Sequence, residues 1–308
     1  MNSRSPAGPS PAAGDRLDPE IVIVAYGTPD LLRDALAPIA GFAVTIVDNS
    51  SLPEIAAIAR EAGAAYWDPG ANLGFGAGVN HALARRRTPG SDVLLLNPDA
   101  VVEPEAIRRL QETLHAEPGI ASVGPAQLDA DGHRSRITWP YPDPLEYLAK
   151  TVRLERFVPV RAQYVIGSVL MLNAAALERV GGFDEEFFLY AEEADWEYRA
   201  HLAGWRNIVR EDVTALHVGA ATSSDAARRE VFLQAGQERF LRKHHGVWGW
   251  QLARWSVVVG SLPRRLLLRG DRRRAARERG LLFQRGPVAV EQTYRPRAPR
   301  AAVADERP

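Results

Sequence analysis

Ile21-Val22-Ile23-Val24-Ala25-Tyr26-Gly27-Thr28-Pro29 is the stretch from which the architecture can be read. Its first five residues are apolar at every position rather than at alternate ones, the pattern of a parallel strand buried on both faces. Gly-Thr-Pro then stops the strand, and residues 31–39 take up helical spacing. The alternation repeats outward. Residues 43–47 read as a second strand closed by Asp48-Asn49-Ser50-Ser51, 53–62 as a helix, 64–67 as a short third strand and 79–87 as a helix. Residues 92–96 form another strand ending at Asn97-Pro98-Asp99, and 103–116 another helix. Such β-α-β-α order predicts an α/β fold with a mostly parallel central sheet flanked by helices, its first half a Rossmann-like nucleotide-binding unit. Ligands of such sheets bind beyond the carboxyl ends of the strands. Tyr26-Gly27-Thr28, Asp48-Asn49 and Asn97-Pro98-Asp99 all fall at those ends.

The second half is less regular. Strands are expected at 120–124, 165–172, 206–209 and 215–218, and helices at 174–180 and 191–203. Asp129-Ala130-Asp131-Gly132 reads as a hairpin turn, and the Pro- and aromatic-rich residues 136–160 as a loop with a short helix.

Composition narrows the chemistry. The 308 residues are 46% apolar and 25% charged, with a formal net charge of zero, so nothing in the whole-chain charge points to nucleic acid. There is no cysteine, which excludes a disulfide framework, a thiolate metal site and a cysteine nucleophile and is compatible with a reducing cytosol. Residues 1–18 lack the apolar core of a signal peptide and read as a disordered tail, as do 286–308. No stretch reaches the roughly 20 apolar residues of a membrane-spanning helix. Residues 226–285 read as a helical, basic extension. Between Arg264 and Arg285 nine arginines face only Asp271 and Glu278, just after Trp248, Trp250 and Trp255. That pattern fits a solvated helical tail or a patch lying on an anionic membrane surface.

Each polar motif has a bland and a chemical reading. Gly74-Phe75-Gly76-Ala77-Gly78 fails the dinucleotide-binding pattern in both place and spacing. It is either a turn needing positive φ or a place where backbone approaches a ligand, flanked by Asn72 and Asn80. Asp48-Asn49 either caps a turn or presents a carboxylate to a base imide. Asn97-Pro98-Asp99 offers oxygen ligands to a hard divalent cation that shares its shell with phosphates. Glu192-Glu193-Ala194-Asp195 puts three carboxylates at a helix start, more than dipole compensation requires, and one of them is placed to take a proton from a hydroxyl.

In this order the segments resemble the family 2 glycosyltransferases of GT-A fold, in particular their rhamnosyltransferase-like branch. The resemblance runs over residues 21–222. It rests on Val47-Asp48-Asn49-Ser50, Asn72-Leu73-Gly74-Phe75-Gly76 through Asn80, and Leu95-Leu96-Asn97-Pro98-Asp99. Further along it rests on Gly167-Ser168, Gly181-Gly182-Phe183-Asp184-Glu185, Phe187-Phe188-Leu189-Tyr190, Glu192-Glu193-Ala194-Asp195 and His217. The resemblance implies an inverting, metal-dependent transferase in which a sugar leaves a dTDP- or UDP-linked donor for a hydroxyl of a glycan or lipid-linked acceptor. Asp48 would recognise the base. Ala25, Tyr26, Asn72, Gly74, Phe75, Gly76 and Asn80 would line the donor site, with Arg199 pairing Asp195 or steadying the diphosphate. Asp99 and Asn97 would hold Mg²⁺ or Mn²⁺. Asn97 stands where the family usually has a second aspartate, which gives His217 more weight as a further ligand. Glu193 occupies the place of the catalytic base, usually an aspartate, with Glu192 and Asp195 as alternatives.

The expected organisation is a transferase domain over 19–225, divided near 125 into donor and acceptor halves, acting in the cytoplasm and on the inner face of the plasma membrane. Two other readings are a nucleotidyltransferase, which would want basic residues along the first loop, and a non-catalytic binding module, which would not need Glu193.

Overall fold

The computed structural model describes residues 17–158, 162–219 and 225–295. Of the tails expected at 1–18 and 286–308, residues 1–16 and 296–308 lie outside the described residues. The first half alternates β1 (Glu20–Ala25), α1 (Pro29–Leu36), β2 (Val44–Asp48), α2 (Pro53–Glu61), β3 (Ala65–Trp67), α3 (Phe75–Leu83) and β4 (Val93–Leu96). There follow β5 (Ala100–Val101), α4 (Pro104–Ala116), β6 (Ile120–Leu128), β7 (Arg134–Ser135), β8 (Thr138–Pro140), α5 (Pro144–Thr151), β9 (Gln163–Val165) and β10 (Val169–Leu172). The chain ends in α6 (Ala174–Val180), α7 (Glu192–Leu202), β11 (Arg206–His217), α8 (Ala226–Leu267), α9 (Gly270–Arg285) and α10 (Pro287–Glu291).

The main sheet runs β3-β2-β1-β4-β10-β6-β11-β5, with β7 on β6. Its β3-β2-β1-β4 portion is parallel, whereas β10 enters antiparallel to both β4 and β6, so the sheet is mixed beyond β4 rather than mostly parallel throughout. Because successive side chains point to opposite faces, the unbroken apolar runs of β1 and β4 feed two cores. Ile21, Ile23, Ile46 and Leu94 join α1, α2 and α4 on one side; Val22, Val24, Leu95 and Leu170 join α3, α6 and α7 on the other. The two strands expected at 206–209 and 215–218 are one strand, β11. Its polar middle, Arg210-Glu211-Asp212, is a bulge where the register against β6 jumps between Arg210 and Thr214. Arg210 faces Pro125, which has no N–H to give the ladder, and a bulge is how a strand accommodates that loss.

β11 also pairs antiparallel with β5, setting His217 opposite Ala100 and therefore beside Asp99. α8 breaks at Gly246, whose φ is 69°, and its two halves serve different ends. The first packs on α7 through Phe240, which joins Tyr141, Ala194 and Tyr198. The second forms a hairpin with α9, where Trp250 and Phe283 make a separate core. α10 lies where a tail was expected to begin: Pro287 and Glu291 are buried, and Glu291 is held by Arg239 and Arg295. Among the described residues no helix is long and apolar enough to cross a membrane.

One buried carboxyl ties α7 to the sheet. Glu197 accepts from Val165 N at 2.6 Å and meets the Ser122 hydroxyl, which lies 3.1 Å from Asn207 Oδ1. Burial pushes its pKa up to about 8, against the lowering effect of those two donors. The folded protein therefore keeps a proton that the unfolded chain, titrating near 4.5, releases. Stability attributable to this group falls as pH rises through that window. Glu197→Gln should flatten the decline in urea midpoint between pH 6 and pH 8.5; an unchanged decline would show that Glu197 does not hold the proton.

Candidate active site

Two carboxylate groups approach the C-terminal edge of the sheet from different directions. The first is Asp99, buried at the turn between β4 and β5. Its Oδ1 has no hydrogen-bond partner, and His217 Nε2 stands 3.4 Å away. The turn is fixed by backbone: Asn97 N donates to Ser168 O, Ala100 N to Asn97 O, and Val218 N to Asp99 O. A buried carboxylate oxygen without a donor, facing an imidazole nitrogen, is a pair that suits a divalent cation, with the half-exposed Asn97 amide beside it. Among the described residues, the three side chains whose ligand atoms cluster most obviously are instead Asp129, Asp131 and His133. Those lie in the β6–β7 turn, where Asp129 Oδ1 already accepts from the backbone of Asp131 and His133.

The second group is the start of α7. Tyr190 (φ 67°) and Ala191 (φ 70°) are consecutive non-glycine residues in the left-handed region, each at a cost of about 1–3 kcal/mol. The turn they make swings Glu192 and Glu193 inward, both buried and each with an Oε2 lacking any hydrogen-bond partner. Burial raises both pKa values, Glu192 further because it also faces the charge of Glu193, while the backbone N–H of Gly167 counteracts the rise at Glu193.

Neighbouring elements hold this turn in place. On one side lies α3: a Cβ on Gly74 would meet the Phe188 carbonyl at 2.2 Å, and one on Gly76 would meet Glu192 Cβ at 3.3 Å. Gly74 itself has φ 86° and ψ 179°, a conformation open only to glycine, and Phe75 N donates to Phe188 O at 2.9 Å. On another side lies α8, where a Cβ on Gly236 would come within 2.3 Å of the Tyr190 carbonyl. The two carboxylates then part. Glu192 packs against α3, whereas Glu193 packs against Gly167 and lines a cavity of about 530 Å³ shared with Tyr164, Tyr190 and the helices α5, α8 and α9.

Several expected site residues do other work. Asp48 is wholly buried and its carboxylate accepts four hydrogen bonds: from Ser50 N, Ser50 Oγ, Leu52 N and Tyr66 Oη. Those four donors fit the turn-capping reading and close the β2–α2 loop. Asn80 clamps Phe183 through both ends of its amide and reaches Glu185, so it fastens the Gly181–Glu185 loop. Arg199 donates from each of its three nitrogens, to Asp195, Val180 O and Gly182 O, and so anchors α7 and that loop rather than reaching for a diphosphate. Asp195 is wholly buried, bound to Arg199 and, at 2.8 Å each, to Lys243 and His244 of α8. Burial alone would raise its pKa, but His244, Lys243 and Arg199 outweigh it and hold the group below the usual range. It is thus an ion-pair anchor and a poor base.

Asn72 forms a local turn with Gly74 N. Ala25 is buried in register with Asp48, Tyr26 is exposed, and Phe75 lies 3.6 Å from the Cβ position of Gly167. Sequence reasoning missed the Tyr190–Ala191 turn, the Lys243–His244 anchor and the left-handed backbone of Thr28 (φ 55°), whose hydroxyl is buried and unpartnered. A Thr between Gly27 and Pro29 gave the only available sign of the last.

This arrangement agrees with what the chain is similar to. The chain belongs to the glycosyltransferase-like family 2, whose family model matches residues 20–235. It is accordingly a glycosyltransferase, with curated relatives named for the same activity. An N-acetylglucosaminyl-diphospho-decaprenol L-rhamnosyltransferase of Mycobacterium tuberculosis is 28% identical over 267 residues, 77% of this chain and 86% of the relative. The low-salt glycan biosynthesis hexosyltransferase Agl10 of Haloferax volcanii is 29% identical over 192 residues, 59% of this chain and 61% of that one. The fold is shared with a mannosyltransferase from Pyrobaculum calidifontis solved with GDP-Man and Mn²⁺, at TM-score 0.57, 14% identity and coverage of 94% and 91%.

If Asp99 and His217 form the cation site, Asp99→Asn should abolish the Mn²⁺-dependent rise in melting temperature and His217→Ala should reduce it. Full retention of the rise in Asp99→Asn would remove this pair from the metal.

Proposed function

We propose that the protein is a metal-dependent, inverting glycosyltransferase. It moves rhamnose or a related sugar from a dTDP- or UDP-linked donor to a hydroxyl of a lipid-linked glycan, at the cytoplasmic face of a membrane. The observation that carries this reading is Glu193, a buried carboxylate with one unpartnered oxygen lining a ligand-sized cavity, beside a sheet edge bearing Asp99 and His217. The mycobacterial relative, named for rhamnosyl transfer to a diphospho-decaprenol-linked sugar, supports the donor and acceptor classes. The archaeal structure with GDP-Man and Mn²⁺ supports a nucleoside-diphosphate sugar as donor and a metal, without favouring one base.

The donor lies across the carboxyl ends of β1 and β4, between Tyr26-Gly27-Thr28 and Asn97-Pro98-Asp99. Asp99 and His217, with Asn97, would hold Mg²⁺ or Mn²⁺, which would supply positive charge beside the diphosphate leaving group. Glu193, facing the cavity, accepts the proton of the acceptor hydroxyl. Its raised pKa makes it a stronger base than an ordinary glutamate, provided the pH is high enough to keep it ionised. The attacking oxygen and the nucleotide occupy opposite faces of the sugar, giving inversion in a single displacement.

Membrane attachment rests on α8. Trp248, Leu252, Trp255, Val259, Leu262 and Leu266 recur at intervals of four and three residues and are all exposed, Trp248 at 85% and Leu266 at 82%. Such spacing makes one apolar stripe on a helix, and the arginines of α9 supply charge for anionic headgroups.

Glu193→Gln should lower kcat by at least a hundredfold while donor affinity stays within about threefold of wild type. In the wild type, kcat should fall as pH drops through a pKa above 4.5; near-normal turnover in the variant would move the base elsewhere. Leu262→Asp/Leu266→Asp should lose binding to anionic vesicles while keeping the wild-type melting temperature, and unaltered partitioning would refute the membrane face.

A further inference from the structure

The cavity that Glu193 lines is also lined by the helical hairpin, through Arg264 of α8 and Arg279 of α9. A second, smaller cavity of about 300 Å³ runs between α8 and α9, lined by Ser261, Leu268, Arg272, Ala275 and Ala276, and it shares Val257, Arg264 and Arg279 with the first. The two arginines therefore line both a chamber that contains the candidate base and a groove whose remaining wall is small and apolar apart from Arg272.

Some cations nearby are already engaged, whereas Arg272, which lines the smaller cavity, has no ion pair among the described residues, like these two. Lys150, which also lines the chamber, is tied to Glu146 at 2.5 Å, and Arg254 donates to the carbonyls of Phe283 and Gln284. Among the described residues neither Arg264 nor Arg279 has a carboxylate within ion-pair distance, although Glu155 lines the same chamber. Arg279 lies 5.8 Å over the Phe283 ring, which props one guanidinium from behind. Two guanidinium groups on separate helices, lining one chamber without protein counter-charges, carry the donors that a phosphate group's oxygens accept from.

We propose that Arg264 and Arg279 bind the diphosphate of the acceptor, placing its sugar in the chamber toward Glu193 and its prenyl chain in the groove between α8 and α9. The assignment rests on the lipid-linked acceptor of the preceding section. It makes the C-terminal hairpin part of the acceptor site as well as a membrane contact. The shared chemistry is a phosphate diester or diphosphate, so an acceptor and a phospholipid headgroup must be told apart.

The test compares two soluble acceptors: N-acetylglucosaminyl diphosphate on a short, water-soluble prenyl chain, and the phosphate-free octyl glycoside of the same sugar. In Arg264→Gln/Arg279→Gln the preference for the diphosphate acceptor, as a ratio of kcat/KM values, should fall at least tenfold. Calorimetric affinity for that acceptor, measured without donor, should fall alongside it. Arg264→Lys/Arg279→Lys should recover part of the preference, as loss of packing alone would not. A retained preference overturns the clamp while leaving the transferase reading intact. Absence of turnover with either acceptor, combined with arginine-dependent binding of the diphosphate compound, supports the clamp and defeats the proposed transfer. Loss of anionic-vesicle binding with an unchanged soluble-acceptor preference assigns the arginines to headgroups and overturns the proposal.

Discussion

The contact on which the site depends is a steric one: the left-handed turn at Tyr190–Ala191 is wedged between glycines of two helices. Such a turn is unfavourable on its own and persists only where its surroundings over-determine it. α3 comes close through Gly74 and Gly76, and α8 comes close through Gly236, each at a distance that no Cβ would permit without movement. The turn sets the direction of α7, and α7 sets the direction of Glu192 and Glu193. Gly78, against Val24, lets the same α3 lie flat on the sheet that carries Asp99 at its edge. One set of close packings thereby fixes the proposed base and the proposed cation site in a common frame.

Electrostatics then separates carboxylates that the sequence presents as equals. Asp195 is neutralised by Arg199, Lys243 and His244, and its ion pairs knit α7 to α8. Glu197 is buried without a cation, and its raised pKa keeps it protonated as a hydrogen-bonded tie between α7, β6 and β9. Glu193 has neither a cation nor a full set of donors. An unsatisfied buried oxygen costs stability, about 1–3 kcal/mol for a polar group and more when charged, which makes function the natural account of its retention. Tyr190 connects this region to the cation site: burial raises its phenol pKa, and Glu192, Glu193 and Asp99 all add to the rise against Arg229.

Much of this was legible in the sequence where the physics is local. The apolar runs of β1, β2 and β4 announce buried parallel strands, and Asn97-Pro98-Asp99 and Glu192-Glu193 stand out by composition and position. What was not legible depends on partners distant in the chain. Capping by Asp48 and the pairing of Arg199 with Asp195 were among the readings the sequence offered, but nothing local shows that Tyr66 or the carbonyls of Val180 and Gly182 engage them as well. The glycines at the start of α3 read either as a positive-φ turn or as a backbone approach to a ligand; Gly74 has the positive φ, while Gly76 and Gly78 are small for the sake of Glu192, Phe183 and Val24. β10 entered antiparallel because strand direction is set by tertiary connection, which residue pattern alone does not encode.

The central claim, that α8 holds the strained turn and so aims Glu193, is tested most directly by Gly236→Ala. A methyl group there meets the Tyr190 carbonyl and must displace the turn or the helix. Steady-state kinetics on the folded variant should show kcat reduced at least tenfold with donor affinity within about twofold of wild type, because β1 and β4 are untouched. Wild-type kcat in Gly236→Ala would contradict the account.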